Sequence, residues 1–231
     1  MTYFLTSCIV IPGTIILNPE NGLIENLKRH LKKEYMNCLF ISSSATDYSK
    51  NDTFGGFEKQ TFEDAGFSFG EYNILDRRTA HKAEEWLKNA DLVIFAGGHV
   101  PTQNAFYAEI NLKELMANFD GVAVGISAGT MNASEEVYAI PEEQGEAISR
   151  TYKRFISGLG ITEKMIIPHY NMQKDGVLDG LRLFEDIAYP DSMGREFYVL
   201  PDGSYIYGHD NTEELCGEIY LLCNGKMNRI N

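Results

Sequence analysis

The sequence predicts an α/β fold built around a mainly parallel, doubly wound sheet. Short apolar segments typical of buried strands alternate with segments whose apolar residues recur at helical spacing, and the joints between them are short. The 231 residues suffice for one large domain with a buried core, and no repeat, low-complexity tract or linker divides them. We therefore expect residues 1–231 to form a single domain.

The first half of the chain shows this alternation most clearly. Predicted strands cover residues 3–11, 37–42, 67–75 and 91–96, the last fully apolar and central. Predicted helices begin near residue 18, around Phe54, Phe57 and Phe62, at residue 82 with Trp86 inward, and at residue 102, the last running to residue 118. Each strand thus feeds a helix, as a parallel sheet requires.

The second half is less periodic. A strand at residues 120–124 precedes a short helix, and an acidic loop at residues 141–146 leads towards a strand at residues 164–167. Leucines at helical spacing predict a helix over residues 176–189. From residue 197 the pattern indicates β-hairpins, with turns at Pro201-Asp202-Gly203 and Asn224-Gly225.

Composition excludes several classes of function. Thirty-three acidic and twenty basic residues give a net charge of −13, which would repel nucleic acid. No apolar stretch is long enough to cross a membrane, and the N-terminus lacks the basic region and cleavage site of a signal peptide. We expect a cytoplasmic protein that acts on a small molecule, and a homo-oligomer is compatible with the sequence.

The four cysteines predict neither disulfides nor a zinc site. Cys8, Cys38, Cys216 and Cys223 are scattered, each lies in an apolar run, and none has a second ligand at a metal-binding spacing. We interpret them as buried free thiols and expect no metal.

The stretch Gly125-Ile126-Ser127-Ala128-Gly129 is the strongest functional candidate. A strand that leads into a helix through G-x-S-x-G is typical of a nucleophile elbow, in which a strained turn exposes the serine hydroxyl. A serine that merely packs in a buried turn fits the same motif. Gly66 to Gly70 also matches it, but there a helix precedes the motif, so we interpret Ser68 as structural.

A second strand end supplies possible partners for the serine. Gly97 and Gly98 follow the strand at residues 91–96, where paired glycines let backbone N–H groups approach a ligand. The N–H groups of Gly98 and Ala128 can together form an oxyanion hole, although a tight turn explains the glycines equally simply. His99 lies beside this turn and is a candidate base.

His169 is the other candidate base, because it follows the predicted strand at residues 164–167. We expect it to share one rim of the parallel sheet with Ser127. His30 and His81 are assigned to polar helix faces and His209 to a turn, all solvated. Asp202 lies in Pro-Asp-Gly, where an aspartate is expected for turn formation alone, without a catalytic role.

These motifs, in this order, resemble peptidase family S51, that of dipeptidase E, with cyanophycinase a more distant relative. The resemblance extends nearly end to end and rests on the Gly97-Gly98 strand end, the Gly125-to-Gly129 motif, Ile167-Pro168-His169 and Leu200-Pro201-Asp202-Gly203. It implies a three-layer α/β/α fold akin to class I glutamine amidotransferases. It also implies Ser127 as nucleophile, His169 as base and Asp202 as the acid that orients it, with no metal or organic cofactor.

Departures from the family pattern make strict Asp-X dipeptidase activity doubtful. The family's Gly-Gly-Gly-Asn turn is Ala96-Gly97-Gly98-His99 here, and residues 135–138 replace a segment that carries threonine and arginine. Asp179 stands where dipeptidase E has its substrate-binding arginine, with Arg182 one turn further along the predicted helix. A carboxylate there would repel an aspartyl side chain. We expect Gly97, His99, Asn171, Asp179 and Arg182 to contact another small peptide or amide.

Two further functions remain open on the sequence alone. An esterase would use the same three residues, since sequence does not distinguish how the leaving group is handled. A non-catalytic binding module of the same fold would keep the serine turn as scaffold only. The joint presence of Ser127, His169 and Asp202 favours an enzyme.

Overall fold

The computed structural model describes residues Met1–Asn231, and its first half follows the predicted alternation. The strands are β1 (Thr2–Thr6), β2 (Met36–Ile41), β3 (Phe69–Leu75), β4 (Leu92–Phe95) and β5 (Val122–Ile126). The helices are α1 (Leu23–His30), α2 (Tyr48–Asp64), α3 (Ala83–Asn89), α4 (Val100–Glu109) and α5 (Leu112–Met116), and short 3-10 turns precede α1 and α3.

Shorter elements make up the second half. They are α6 (Ala128–Asn132), β6 (Glu136–Tyr138), β7 (Phe155–Ser157), β8 (Met165–Ile167), α7 (Tyr170–Gln173), β9 (Val177–Leu178) and β10 (Leu181–Arg182). One π-helical segment, Leu183–Ala188, then continues into α8 (Tyr189–Asp191). The chain ends with β11 (Glu196–Val199), β12 (Tyr205–His209), β13 (Thr212–Cys216), β14 (Tyr220–Cys223) and β15 (Lys226–Arg229).

A seven-stranded central sheet carries the fold, in the order β13-β12-β1-β5-β4-β2-β3. The five strands from β1 to β3 in this order are parallel, and β12 and β13 add an antiparallel edge. Successive residues of β4 point to opposite faces: Ile94 packs into a core with α1 and α2, and Val93 into a core with α3, α4 and α5. Helices on both faces confirm the predicted mainly parallel α/β/α architecture.

A second sheet of four strands, ordered β15-β14-β11-β8, was not predicted. Its β8 and β11 are parallel, and β14 and β15 form the hairpin expected at Asn224-Gly225. The predicted hairpin at Pro201-Asp202-Gly203 is wrong, because β11 lies in the second sheet whereas β12 lies in the central one. This turn instead carries the chain from one sheet to the other.

Three predicted elements end where backbone conformation changes. The helix expected over residues 176–189 forms only from Leu183 onward, because Asp179 and Gly180, with φ of 53° and 81°, form the turn of the β9–β10 hairpin. The helix expected over residues 102–118 breaks at Asn111, which has a φ of 52°. The first strand stops at Thr6 instead of residue 11, and Ser7 leaves the sheet at its carboxyl edge.

Of the three phenylalanines that mark α2, only Phe62 enters the core, whereas Phe54 and Phe57 are 48% and 51% exposed. The environments of the cysteines differ from the prediction. Of the four cysteines, all free, only Cys38 is buried. The helices of the structure include none with both the length and the apolar character to cross a membrane.

Two histidines that were expected to be solvated pack around one buried tyrosine. His30 Nε2 lies 2.5 Å from the hydroxyl of Tyr207, and the ring of His209 stacks on Tyr207 with centroids 4.3 Å apart. Burial is the main cause of the lowered pKa of His30, whereas the hydrogen bond to Glu214 raises the pKa of His209. This cluster lies at the opposite end of the central sheet from Ser127, where His209 pairs with Thr212.

Candidate active site

Ser127 lies on the tight turn between β5 and α6, as the motif predicts. Its φ of 50° and ψ of −111° are strained for a residue with a side chain. A Cβ on Gly125 would come within 2.8 Å of Thr130 Oγ1, and one on Gly129 within 2.3 Å of the Phe95 carbonyl oxygen. Glycine is therefore required at both ends of the motif by close packing.

The turn after β4 lies directly beside Ser127. Phe95 of β4 is paired with Gly125 of β5, and a Cβ on Gly97 would lie 3.5 Å from Ser127 Cβ. The Gly98 N–H makes no hydrogen bond within the chain, and Ala128 opens α6, where the first N–H groups lack intrahelical acceptors. Both predicted oxyanion donors thus lie on strand ends that flank the serine.

His169 and Asp202 come together at the end of the second sheet. Parallel strands β8 and β11 pair Ile167 with Val199, and the two residues follow these strand ends. His169 Nδ1 lies 2.6 Å from Asp202 Oδ1. The imidazole Nε2 makes no hydrogen bond within the chain, so it is available to a reacting group.

Ser7 joins this pair and was missed in the sequence. Its hydroxyl donates to Asp202 Oδ1 at 2.7 Å and accepts the His169 backbone N–H at 2.7 Å. The apolar run of residues 3–11 predicts Ser7 within a strand. The polar pair Thr6-Ser7, where the apolar run is interrupted, was the signal that this strand ends at the site.

The prediction that Ser127 and His169 share one rim of a single sheet is wrong. Ser127 follows the central sheet, whereas His169 and Asp202 follow the second sheet, and β1 connects them. The Ser127 N–H donates to the Thr6 carbonyl at 3.2 Å, and the next residue, Ser7, binds both members of the pair. No hydrogen bond joins the Ser127 hydroxyl to the His169 ring.

The pKa of Asp202 reflects opposing effects. Burial alone would raise it, but hydrogen bonds from His169 and Ser7 favour the charged form and hold the pKa below its usual value. Asp202 is therefore an ionised acceptor at neutral pH, which fixes the proton of His169 on Nδ1.

His99 is held at both ring nitrogens. Nδ1 lies 2.7 Å from Thr102 Oγ1 and Nε2 lies 2.9 Å from Glu146 Oε1. The other oxygen of Glu146 accepts the N–H groups of Glu142 and Glu143, each at 2.9 Å. His99, the residue after Gly98, thus anchors the acidic loop beside this turn. Neither of its ring nitrogens is free to act as a base.

Ligand atoms of His99, Glu143 and Glu146 lie within 4.8 Å of one another, which is a spacing a cation can bridge. Burial would raise the pKa of Glu146, but the backbone N–H groups of the loop and His99 outweigh it and lower the pKa. These contacts account for the cluster as a hydrogen-bonded group that closes a loop.

Of the three remaining predicted substrate contacts, Asp179 and Arg182 have partners within the chain and Asn171 has none. Asp179 accepts the N–H groups of Gly145 at 2.8 Å and Ala147 at 3.1 Å, so it secures the acidic loop from the opposite side to His99. Arg182 forms an exposed ion pair with Asp186 at 2.8 Å. Asn171, two residues after His169, is exposed on α7.

The fold and site define an α/β/α protein with a serine on a strained strand-to-helix turn and a half-buried histidine–aspartate pair, linked to each other through Thr6 and Ser7. A model of peptidase family S51 matches residues 11–215, and the chain belongs to this family. It is a serine-type peptidase by that membership. No protein among the curated sequences matches it significantly.

Two solved structures share the fold over nearly their whole length. A peptidase from an acI-B1 Actinobacterium is 20% identical, with a TM-score of 0.66 over 99% of this chain and 93% of the other. A protein described as peptidase E from Listeria monocytogenes EGD-e is 14% identical, with a TM-score of 0.63 over 100% and 98% of the two chains.

Proposed function

We propose that the protein hydrolyses small peptides or amides through an acyl-enzyme, with Ser127 as nucleophile, His169 as base and Asp202 as its orienting acid. The observation that supports this most directly is the 2.6 Å bond from His169 Nδ1 to Asp202. It fixes the tautomer whose Nε2 can accept the proton of a serine hydroxyl. The order Ser, His, acid along the chain also differs from that of the α/β-hydrolases.

The reaction then follows from the positions of these groups. As Ser127 Oγ attacks the carbonyl carbon, its proton passes to His169 Nε2 and the carbonyl oxygen becomes an oxyanion between the Gly98 and Ala128 N–H groups. Collapse expels the amine, which takes the proton from His169. Water repeats these steps on the ester and releases the acid, so the reaction requires no metal or organic cofactor.

The separation of Ser127 from His169 is compatible with this role. In enzymes without substrate, catalytic hydrogen bonds are often long and tighten when substrate binds. Ser127 is linked to Thr6, and the pair to Ser7, so the two halves of the site are fixed to consecutive residues of one chain segment.

The charges around the site favour a substrate other than an Asp-X dipeptide. Beside the Gly98 turn lies Glu146, within a loop that also carries Glu142 and Glu143. Arg182 is engaged by Asp186, and Asp179 by the loop. An aspartyl side chain would meet carboxylates and find no free guanidinium among these residues.

A fluorophosphonate probe tests the proposal without knowledge of the substrate. We expect labelling of the unsubstituted protein and of Ser68→Ala, whose serine matches the same motif but is exposed before β3, and none of Ser127→Ala. Labelling that survives Ser127→Ala would overturn the assignment. Rates with a panel of dipeptides and N-acyl amino acids then define the substrate, and a clear preference for N-terminal Asp would contradict the specificity argument.

A further inference from the structure

We propose that Ser7 is a positioning residue that sets the basicity of the His169–Asp202 pair and holds the pair against the sheet that carries Ser127. This inference rests on the proposed function, because it concerns the same reaction.

In both hydrogen bonds of Ser7 the partner determines which atom is the donor and which the acceptor. The His169 backbone N–H can only donate, so Ser7 Oγ is the acceptor of that 2.7 Å bond. The hydroxyl has one proton, and the ionised Asp202 is its acceptor, also at 2.7 Å. Since Ser7 is fully buried, at 0% exposure, no water replaces either bond.

Asp202 Oδ1 receives both protons of the local network. The same oxygen accepts from His169 Nδ1 at 2.6 Å and from Ser7 Oγ. Two donors to one oxygen share its negative charge, so each bond weakens the pull of the carboxylate on the other proton. Ser7 therefore limits how strongly Asp202 stabilises a protonated His169.

The location of Ser7 allows it to hold the His169–Asp202 pair against the sheet that carries Ser127. Its own N–H donates to the Ser204 carbonyl at 3.2 Å, just beyond the turn that carries Asp202. Ser7 therefore binds both strand-end segments of the second sheet from a position one residue beyond β1, the strand paired with β5.

The other ionisable groups near Asp202 cannot replace this hydrogen bond. The Cys8 thiol is nearby, donates instead to the Val10 carbonyl, and has a pKa raised by burial. The Glu20 carboxylate lies against Gly203, where a Cβ would come within 2.4 Å of it. Loss of the Ser7 hydroxyl thus leaves His169 as the sole donor to Asp202 Oδ1.

Ser7→Thr and Ser7→Val test the inference as a matched pair, because the two side chains have the same shape and only threonine carries a hydroxyl. The second-order rate of Ser127 labelling by a fluorophosphonate is measured from about pH 5 to pH 9. We expect Ser7→Thr to retain the unsubstituted pH profile. Ser7→Val should label about ten- to hundredfold more slowly, with its acid limb displaced to higher pH as His169 stays protonated longer.

Equal rates and equal acid limbs for the two variants would overturn the inference and leave the proposed function intact. Absence of labelling in the unsubstituted protein would overturn both. Proton NMR gives a readout independent of turnover: the His169 Nδ1–H resonance should shift in Ser7→Val and in the smaller Ser7→Ala but not in Ser7→Thr. An unchanged resonance in folded Ser7→Ala would also contradict the proposal.

Discussion

The carboxylate of Glu146 lies 2.9 Å from Nε2 of His99, the residue that follows Gly98. Through this contact the acidic loop of residues 141–146 is held beside the turn that supplies a proposed oxyanion donor. Asp179 holds the same loop by the N–H groups of Gly145 and Ala147. The carboxylates of Glu146 and Asp179 thus hold this loop beside the Gly98 turn, and its other ionisable side chains, those of Glu142 and Glu143, are also acidic.

Removal of the Asp179 carboxylate should release this loop. Asp179→Ala loses charge-assisted bonds to two backbone N–H groups, so we expect cleavage by a glutamate-specific protease at Glu142, Glu143 and Glu146 to accelerate about tenfold or more. Mass spectrometry of the fragments measures this. Asp175→Ala is the control, because Asp175 is exposed and makes no hydrogen bond. Equal cleavage of both variants would show that Asp179 does not restrain the loop.

Ionisation of Glu58 should make the folded protein less stable as pH rises. One carboxylate oxygen of Glu58 is buried on α2 without a partner, and burial raises its pKa to about 7. A raised folded-state pKa gives stability that is complete below about pH 4.5 and is lost as pH rises to about 7. We therefore expect Glu58→Gln to gain on the order of 2 kcal/mol relative to the unsubstituted protein between pH 5 and pH 8.

Urea unfolding at the two pH values measures the Glu58 effect. Glu34→Gln, at an exposed glutamate without hydrogen bonds, should show no such gain. A difference between Glu58→Gln and the unsubstituted protein that is the same at both pH values would contradict the prediction.

In contrast to Glu58, Asp202 should make the protein less stable as pH falls. Its removal should also slow the reaction. Its lowered pKa gives stability that is present above about pH 4 and is lost as pH falls further. Asp202→Asn removes that dependence and permits the wrong His169 tautomer, so labelling of Ser127 should slow about 10³–10⁴-fold. A rate within tenfold of the unsubstituted protein, in a variant that remains folded by circular dichroism, would argue against Asp202 as the orienting acid.

A side chain at Gly98 should be less harmful once Ser43 is removed. A Cβ at Gly98 would lie 2.4 Å from Ser43 Cβ, and the φ of 159° there is one that side chains rarely adopt, so Gly98→Ala should destabilise the protein by about 1–3 kcal/mol and displace the turn. In Gly98→Ala/Ser43→Gly the clash is removed while the backbone strain remains, so stability and probe labelling should recover together but only in part. Thermal unfolding and labelling rates measure both, with Ser43→Gly alone as control. A double variant as impaired as Gly98→Ala would place the cause elsewhere.

The parallel centre of the main sheet was predictable because β2, β4 and β5 are buried on both faces and a helix follows each of them. The second sheet was not, because β8 and β11 are only three and four residues long and lie far apart in sequence. Asp179-Gly180 is a recognised hairpin signal, but the leucine spacing on either side masked it. Phe54, Phe57 and Phe62 indicated α2 correctly, but their spacing did not show that only Phe62 is buried.

Of the candidate site, the sequence located Ser127, His169 and Asp202 as residues but not the arrangement that joins them. The hydrogen bond between the last two emerges from a parallel pairing of β8 with β11, which only the structure shows. Ser7 and Glu146 were missed for the same reason: each acts through a contact distant in sequence. Local motifs identify residue types that can do chemistry, whereas tertiary pairing decides which of them meet.

The proposed catalytic residues are divided between two sheets. Turnover is therefore sensitive to any sliding of one sheet relative to the other. Ser127 is attached to the central sheet and the histidine–aspartate pair to the second sheet. Hydrogen bonds at Thr6 and Ser7 hold the two groups in position relative to each other. A displacement of an ångström between the layers would misalign proton transfer while leaving both cores packed. Heating should therefore abolish catalysis at a lower temperature than it melts the secondary structure.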